Sequence, residues 1–94
     1  MKKAEFAALV AARAGIRKKD AERLVDLTFG CLGDALAQGE RITIGGFGVF
    51  ETRARAARTG RVPSTGEQIA IPASKVPAFK PAKQLREKVN SSEQ

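Results

Sequence analysis

Ninety-four residues with 17 lysines and arginines against 10 acids give a net charge of +7 and a pI near 10.2, a balance that favours a polyanionic partner. The single cysteine, Cys31, cannot close an internal disulfide, and without histidine the usual zinc sites and nucleophile–base pairs lack their parts, so neither an enzyme nor a metal site or cofactor is expected. A core of this size is marginal, and a small scaffold with neither metal nor disulfide calls for a partner subunit.

The first residues imitate a secretion signal: Lys2 and Lys3, an apolar run over 6–12, then Ala12-Arg13-Ala14. Glu5 and Arg13 spoil the imitation, and Phe6, Leu9 and Val10 fall at helical spacing, so export is not expected and the compartment is read as cytoplasmic and reducing. No run approaches the length of a membrane span. The spacing predicts a helix over 3–14 stopped by Gly15, then a longer one over 18–38 closed by Gly39. Ala21, Leu24, Val25, Thr28, Cys31, Leu32, Ala35 and Leu36 recur on the second helix at three- and four-residue steps. Gly30 and Gly33 interrupt it at a cost of about 1 kcal/mol each relative to Ala, which predicts close approach of another helix. Cys31 lies on the same apolar stripe, has no cationic or metal-ligating company in the sequence, and is assigned no role.

Residues 41–44 alternate as a strand, Gly45-Gly46 turns the chain, and 47–52 make a second strand. Phe47 and Phe50 are three apart, which strict alternation places on opposite faces, so a bulge is expected at Gly48 to bring both into the core. The stretch 53–75 is different in kind. Arg53, Arg55, Arg58, Arg61 and Lys75 stand against the one acid Glu67, a net +4, and large aromatic or leucine side chains are missing. Pro63-Ser64-Thr65-Gly66 is turn chemistry that folds the stretch into a two-stranded ribbon. With little to pack on, this ribbon reads as a mobile arm that orders on a ligand. The return strand over 68–79 contains Pro72 and Pro77, which cannot donate to a ladder, and is expected at a sheet edge or bulged. Pro81 suits the first turn of a closing helix over 82–89, and 90–94 reads as a frayed polar tail. The result is one α+β domain over 1–94: helices over 1–39, strands over 40–80 with the arm at about 53–75, and a last helix over 81–90.

Three segments carry a resemblance across the whole chain: Gly46-Phe47-Gly48-Val49-Phe50, the arm from Arg55-Ala56-Ala57-Arg58 through Thr59-Gly60-Arg61-Val62-Pro63-Ser64-Thr65-Gly66, and Val76-Pro77-Ala78-Phe79-Lys80-Pro81. In order and spacing they resemble the bacterial histone-like HU and integration host factor proteins that bend DNA. One departure is Val62, where that family usually has Asn or Lys before the proline. The resemblance implies an intertwined homodimer with a helical base, a β saddle and two protruding ribbon arms around double-stranded DNA in the bacterial nucleoid. It implies that Pro63 inserts between base pairs from the minor groove, and that nicked, mismatched or bent duplex is preferred. Arg53, Arg55, Arg58, Arg61 and Lys75 are the expected arm contacts, through phosphates or a narrow minor groove, with Lys3, Lys18, Lys80 and Lys83 on the body. A site-specific bending factor is the alternative within the class. An RNA-binding basic module is the alternative outside it, although single-strand readers display aromatics and this arm has none.

Overall fold

The computed structural model of the chain describes residues 1–91. It divides into two compact units, Met1–Ala35 and a second that starts at Leu36. In the first, α1 (Lys3–Ala14) ends where expected: Gly15 takes a left-handed conformation, φ 67°, and its N–H reaches back to Ala11 O. Only Gly adopts that backbone without a Cβ penalty. Helix α2 (Lys18–Ala37) closes one residue earlier than predicted, with Gly39 N–H donating to Leu36 O at 3.0 Å. The buried positions are Ala7 and Ala11 on α1 and Ala21 and Val25 on α2, a four-residue step on each helix.

The larger apolar residues of these helices are not covered. Leu24 and Leu27 are each 52% exposed and Phe29 55%, and Cys31 is exposed beside them. The expectation that another helix closes on Gly30 and Gly33 is not met within the chain, since a Cβ at either would find no atom within 4 Å.

The second unit opens with β1 (Ile42–Ile44) and β2 (Gly48–Arg55), continues into β3 (Arg58–Arg61) and β4 (Gln68–Ile71), and returns through β5 (Ser74–Pro81) to α3 (Lys83–Ser91). Strands β1, β2 and β5 form one antiparallel sheet in that order, and β3 pairs with β4 separately. The edge position of β5 accommodates Pro77, opposite Thr52, without a bulge. Phe50 faces Phe79 across β2 and β5 with ring centroids 4.7 Å apart, and Phe47 lies 5.4 Å from Phe79 and 6.3 Å from Phe50. Phe47 joins this cluster from the turn, not from the strand: its N–H donates to Ile44 O at 3.0 Å, so alternation never applied to it.

Gly48 is therefore not a bulge, and its register runs unbroken to Ile44 on one side and Pro81 on the other. The site needs glycine because a Cβ there would lie 2.5 Å from both Lys80 O and Phe79 Cε1. Pro81 also differs from expectation, closing β5 while α3 starts at Lys83, and Ala82 N–H ties the junction to Phe47 O at 2.8 Å. Helix α3 runs through Ser91; the rest of the predicted polar tail lies outside the described residues. Gly48→Ala should cost about 1–3 kcal/mol, since backbone Lys80 and a clustered ring must both give way. Urea denaturation checks this, and an unchanged midpoint would contradict it.

Candidate nucleic-acid interface

The register assigns each cation of 53–75 to a face. Opposite residues in an antiparallel pair share a face and neighbours alternate. In the three-stranded sheet, Ile42, Ile44, Phe50 and Phe79 fall on one side, while Thr43, Val49, Glu51, Arg53, Arg55 and Lys80 fall on the other. Lys75, opposite Ala54, is on the phenylalanine side. One face thus carries the phenylalanines, and the other carries Arg53, Arg55 and Lys80 with the acid Glu51.

Beyond Arg55 and Ser74 the ladder stops, and Ala56-Ala57 and Pro72-Ala73 separate it from the β3–β4 ribbon. In that ribbon Arg58 shares a face with Ile71, Gly60 and Ile69, and Arg61 shares the other with Gln68, Thr59 and Ala70. The two arginines therefore leave opposite sides of the arm. Gly60 lets Ile71 lie close, for a Cβ there would be 2.7 Å from Ile71 Cδ1. The tip closes on Val62: its N–H donates to Glu67 O at 2.8 Å, and its carbonyl accepts from Thr65 N–H at 3.3 Å and Gly66 N–H at 2.7 Å. Gly66 supplies the left-handed residue at φ 75°, Thr65 Oγ1 accepts from Glu67 N–H at 3.3 Å, and Arg61 Nη1 makes a long 3.5 Å contact with Gly66 O. Pro63, second in this turn, is exposed at the extremity and Val62 is half-buried behind it.

Charge pairing distinguishes the cations of 53–75 from three of the body lysines nominated with them. Among the described residues no carboxylate comes within 4.0 Å of Arg53, Arg55, Arg58, Arg61 or Lys75. Three of the four expected body lysines are paired: Lys3 with Asp26 at 2.8 Å, Lys80 with Glu51 at 3.2 Å and Lys83 with Glu87 at 3.8 Å, while Lys18 is without an acid. Asp26 raises the Lys3 pKa above its ordinary value, chiefly by the side-chain hydrogen bond. Glu51 moves the other way, with Lys80 the main cause of a pKa below the usual carboxylate value; partial burial opposes the shift, and Arg53 and Arg41 add to it. Neither Glu51 nor Arg41 stood out in the sequence, because their proximity to Lys80 or to each other depends on the pairing of β1, β2 and β5. Among the described residues no group of His, Cys, Asp or Glu is placed to hold a metal ion, and no helix is long and apolar enough to cross a membrane.

The chain is a small α+β fold that carries Arg53, Arg55 and Lys75 on the β2–β5 ladder and Arg58 and Arg61 on the β3–β4 ribbon that continues it. Comparison with known proteins makes the class specific: residues 1–90 match the family described as bacterial DNA-binding protein, and the chain belongs to that family, the HU family of histone-like proteins. It is 52% identical over 89 residues to DNA-binding protein HU of Geobacillus stearothermophilus, covering 95% of this chain and 99% of that one. It is 53% identical over 89 residues to DNA-binding protein HU 1 of Bacillus subtilis, covering 95% and 97%. Among solved structures, an Anabaena HU–DNA cocrystal structure aligns with a TM-score of 0.87 at 43% identity over 95% of this chain and 97% of that one. HU from Thermotoga maritima aligns at 0.66, with 35% identity over 95% and 98%. The family is one of DNA-binding architectural proteins, not enzymes.

The ribbon of β3 and β4 is only two strands wide, whereas the β2–β5 ladder is backed by the phenylalanine cluster. Its backbone hydrogen bonds should open more readily. In the free protein, amides of Arg58–Arg61 and Gln68–Ile71 should exchange faster than those of 49–52, as measured by hydrogen exchange, and equal protection would contradict an arm that orders on its ligand.

Proposed function

We propose that the chain acts as a homodimer that binds double-stranded DNA with little sequence specificity, lays its two arms in the minor groove, bends the duplex and helps organise the bacterial chromosome in the nucleoid. The observation that carries this reading is a segment whose five cations have no acid partner among the described residues and whose tip is an exposed proline. Unpaired Lys and Arg bind phosphate without first giving up a carboxylate, and phosphate contact carries no base sequence. Arg58 and Arg61, leaving opposite sides of a narrow ribbon, suit a groove with a phosphate wall on each side.

Pro63 is the wedge in this mechanism. Its ring is rigid, it has no N–H to strand away from water, and the turn holding it is closed by Val62, Thr65, Gly66 and Glu67. Insertion unstacks a base step at a cost of a few kcal/mol, offset by the contacts that a bent duplex brings to the arms. Val62, directly before Pro63, broadens the apolar tip. Nicked, mismatched or bent duplex, already partly distorted, is the preferred form, and RNA is a secondary ligand.

Two substitutions separate wedge from clamp. Pro63→Ala should reduce the bend angle, read by energy transfer, and the preference for nicked over intact duplex, while keeping most of the salt-sensitive affinity for linear DNA. Arg61→Ala should weaken binding to all duplexes and flatten log K against log salt by about 0.9, the loss of one phosphate contact. A Pro63→Ala protein that bends DNA as sharply as the wild type, with the same nicked-to-intact ratio, would remove the wedge.

A further inference from the structure

On the cationic face of the sheet one residue has the wrong sign. Glu51 is the only acid in β1, β2 and β5, and it shares its face with Arg53, Arg55 and Lys80. The register explains how it meets Lys80: Lys80 is opposite Val49, so Glu51 is its diagonal neighbour, close enough for Nζ to sit 3.2 Å from Oε1. Arg41, one residue before β1, and Arg53, two along β2, place further positive charge on the same carboxylate. The Glu51 side chain is 21% exposed and the Lys80 side chain 57%. Oε1 itself is shut off from solvent and accepts no well-formed hydrogen bond, so the Lys80 charge is its compensation.

Stability is a poor reason for this arrangement. A partly exposed ion pair contributes about 0–1 kcal/mol, and the strands concerned are already joined by a continuous ladder and the Phe50–Phe79 contact. A carboxylate on a face that approaches phosphate also repels it. Both facts make sense if Glu51 acts on binding. We infer that Glu51 is an internal competitor for DNA phosphate, holding Lys80 in the free protein so that a phosphate gains this ammonium only by displacing the carboxylate.

The inference rests on the DNA-binding reading and deepens it. Arm cations engage directly, whereas Lys80 contributes only where the duplex presses far enough onto the sheet to exchange partners. Glu51 thereby makes the body contact conditional on the arm contact, and it lowers the number of counterions released on linear DNA.

The test is a double-mutant cycle of wild type, Glu51→Gln, Lys80→Ala and the pair, each titrated against linear duplex across a salt series, with melting curves to verify folding. Glu51→Gln should bind several-fold tighter with a log–log slope steeper by about 0.9, and both gains should vanish when Lys80→Ala is added. An equal gain with and without Lys80 would mean that only net charge had changed and would overturn the inference, as would no gain at all. In the wild type, the Glu51 carboxyl should titrate upward once duplex is bound, because it loses Lys80 and faces phosphate while Arg53 and Arg41 remain; an unchanged or lowered titration on binding would also overturn it. If the wild type shows no salt-dependent binding, the DNA-binding reading fails; if it binds steeply and the cycle shows no coupling, only the role of Glu51 fails.

Discussion

This chain has more large apolar side chains than one copy can hide. Among the described residues, complete or near-complete burial reaches only Ala7, Ala11, Ala21 and Val25 of the apolar side chains, while Phe6, Leu9, Leu24, Leu27, Phe29, Ile44, Phe47 and Phe79 stay at least two-fifths exposed. Fully covering a leucine or phenylalanine is worth about 1.5–3 kcal/mol, so leaving these eight about half in water forfeits an amount comparable to the whole stability of a typical domain. The proposed remedy is a second copy of the same chain. A symmetric pair brings two arms as a consequence, because whatever one copy projects its partner projects as well.

The arm is built by the opposite rule. Apart from Val62, Ile69 and Ile71 its residues are small, polar or cationic, its ladder is interrupted at Ala56-Ala57 and Pro72-Ala73, and Gly60 lets Ile71 lie close. Such a ribbon gains little by burial and keeps its charges available. On the body three of the four lysines that the sequence nominated for DNA contact are held by acids, Lys3 by Asp26, Lys80 by Glu51 and Lys83 by Glu87. Phosphate binding in this account is graded, unhindered at the five unpaired cations of 53–75 and contested at Lys80.

Elements whose cause is local were legible in the sequence. Helix α1 was readable to the residue because Gly15 stops it, and the arm tip because Pro63 and Gly66 impose their own backbone geometry. Features that depend on register were not. Phe47 reads as a strand residue until its N–H is seen closing a turn onto Ile44, and Gly48 reads as a bulge until Phe79 and Lys80 are seen pressing on it. Pro81 suits a helix start by residue type, yet it ends β5 because the ladder with β2 reaches Gly48. The Glu51–Lys80 pair joins residues 29 positions apart and appears only once Val49 is set opposite Lys80. The arm motif is specific enough to carry the family resemblance without any of these details.

The most direct test of the central claim is thermal unfolding of the protein without DNA, followed at concentrations spanning roughly two orders of magnitude. If folding and pairing are one event, mass action requires the midpoint to rise with protein concentration. A single cooperative transition whose midpoint is the same at every concentration, in a sample that sediments as one chain, would contradict the account.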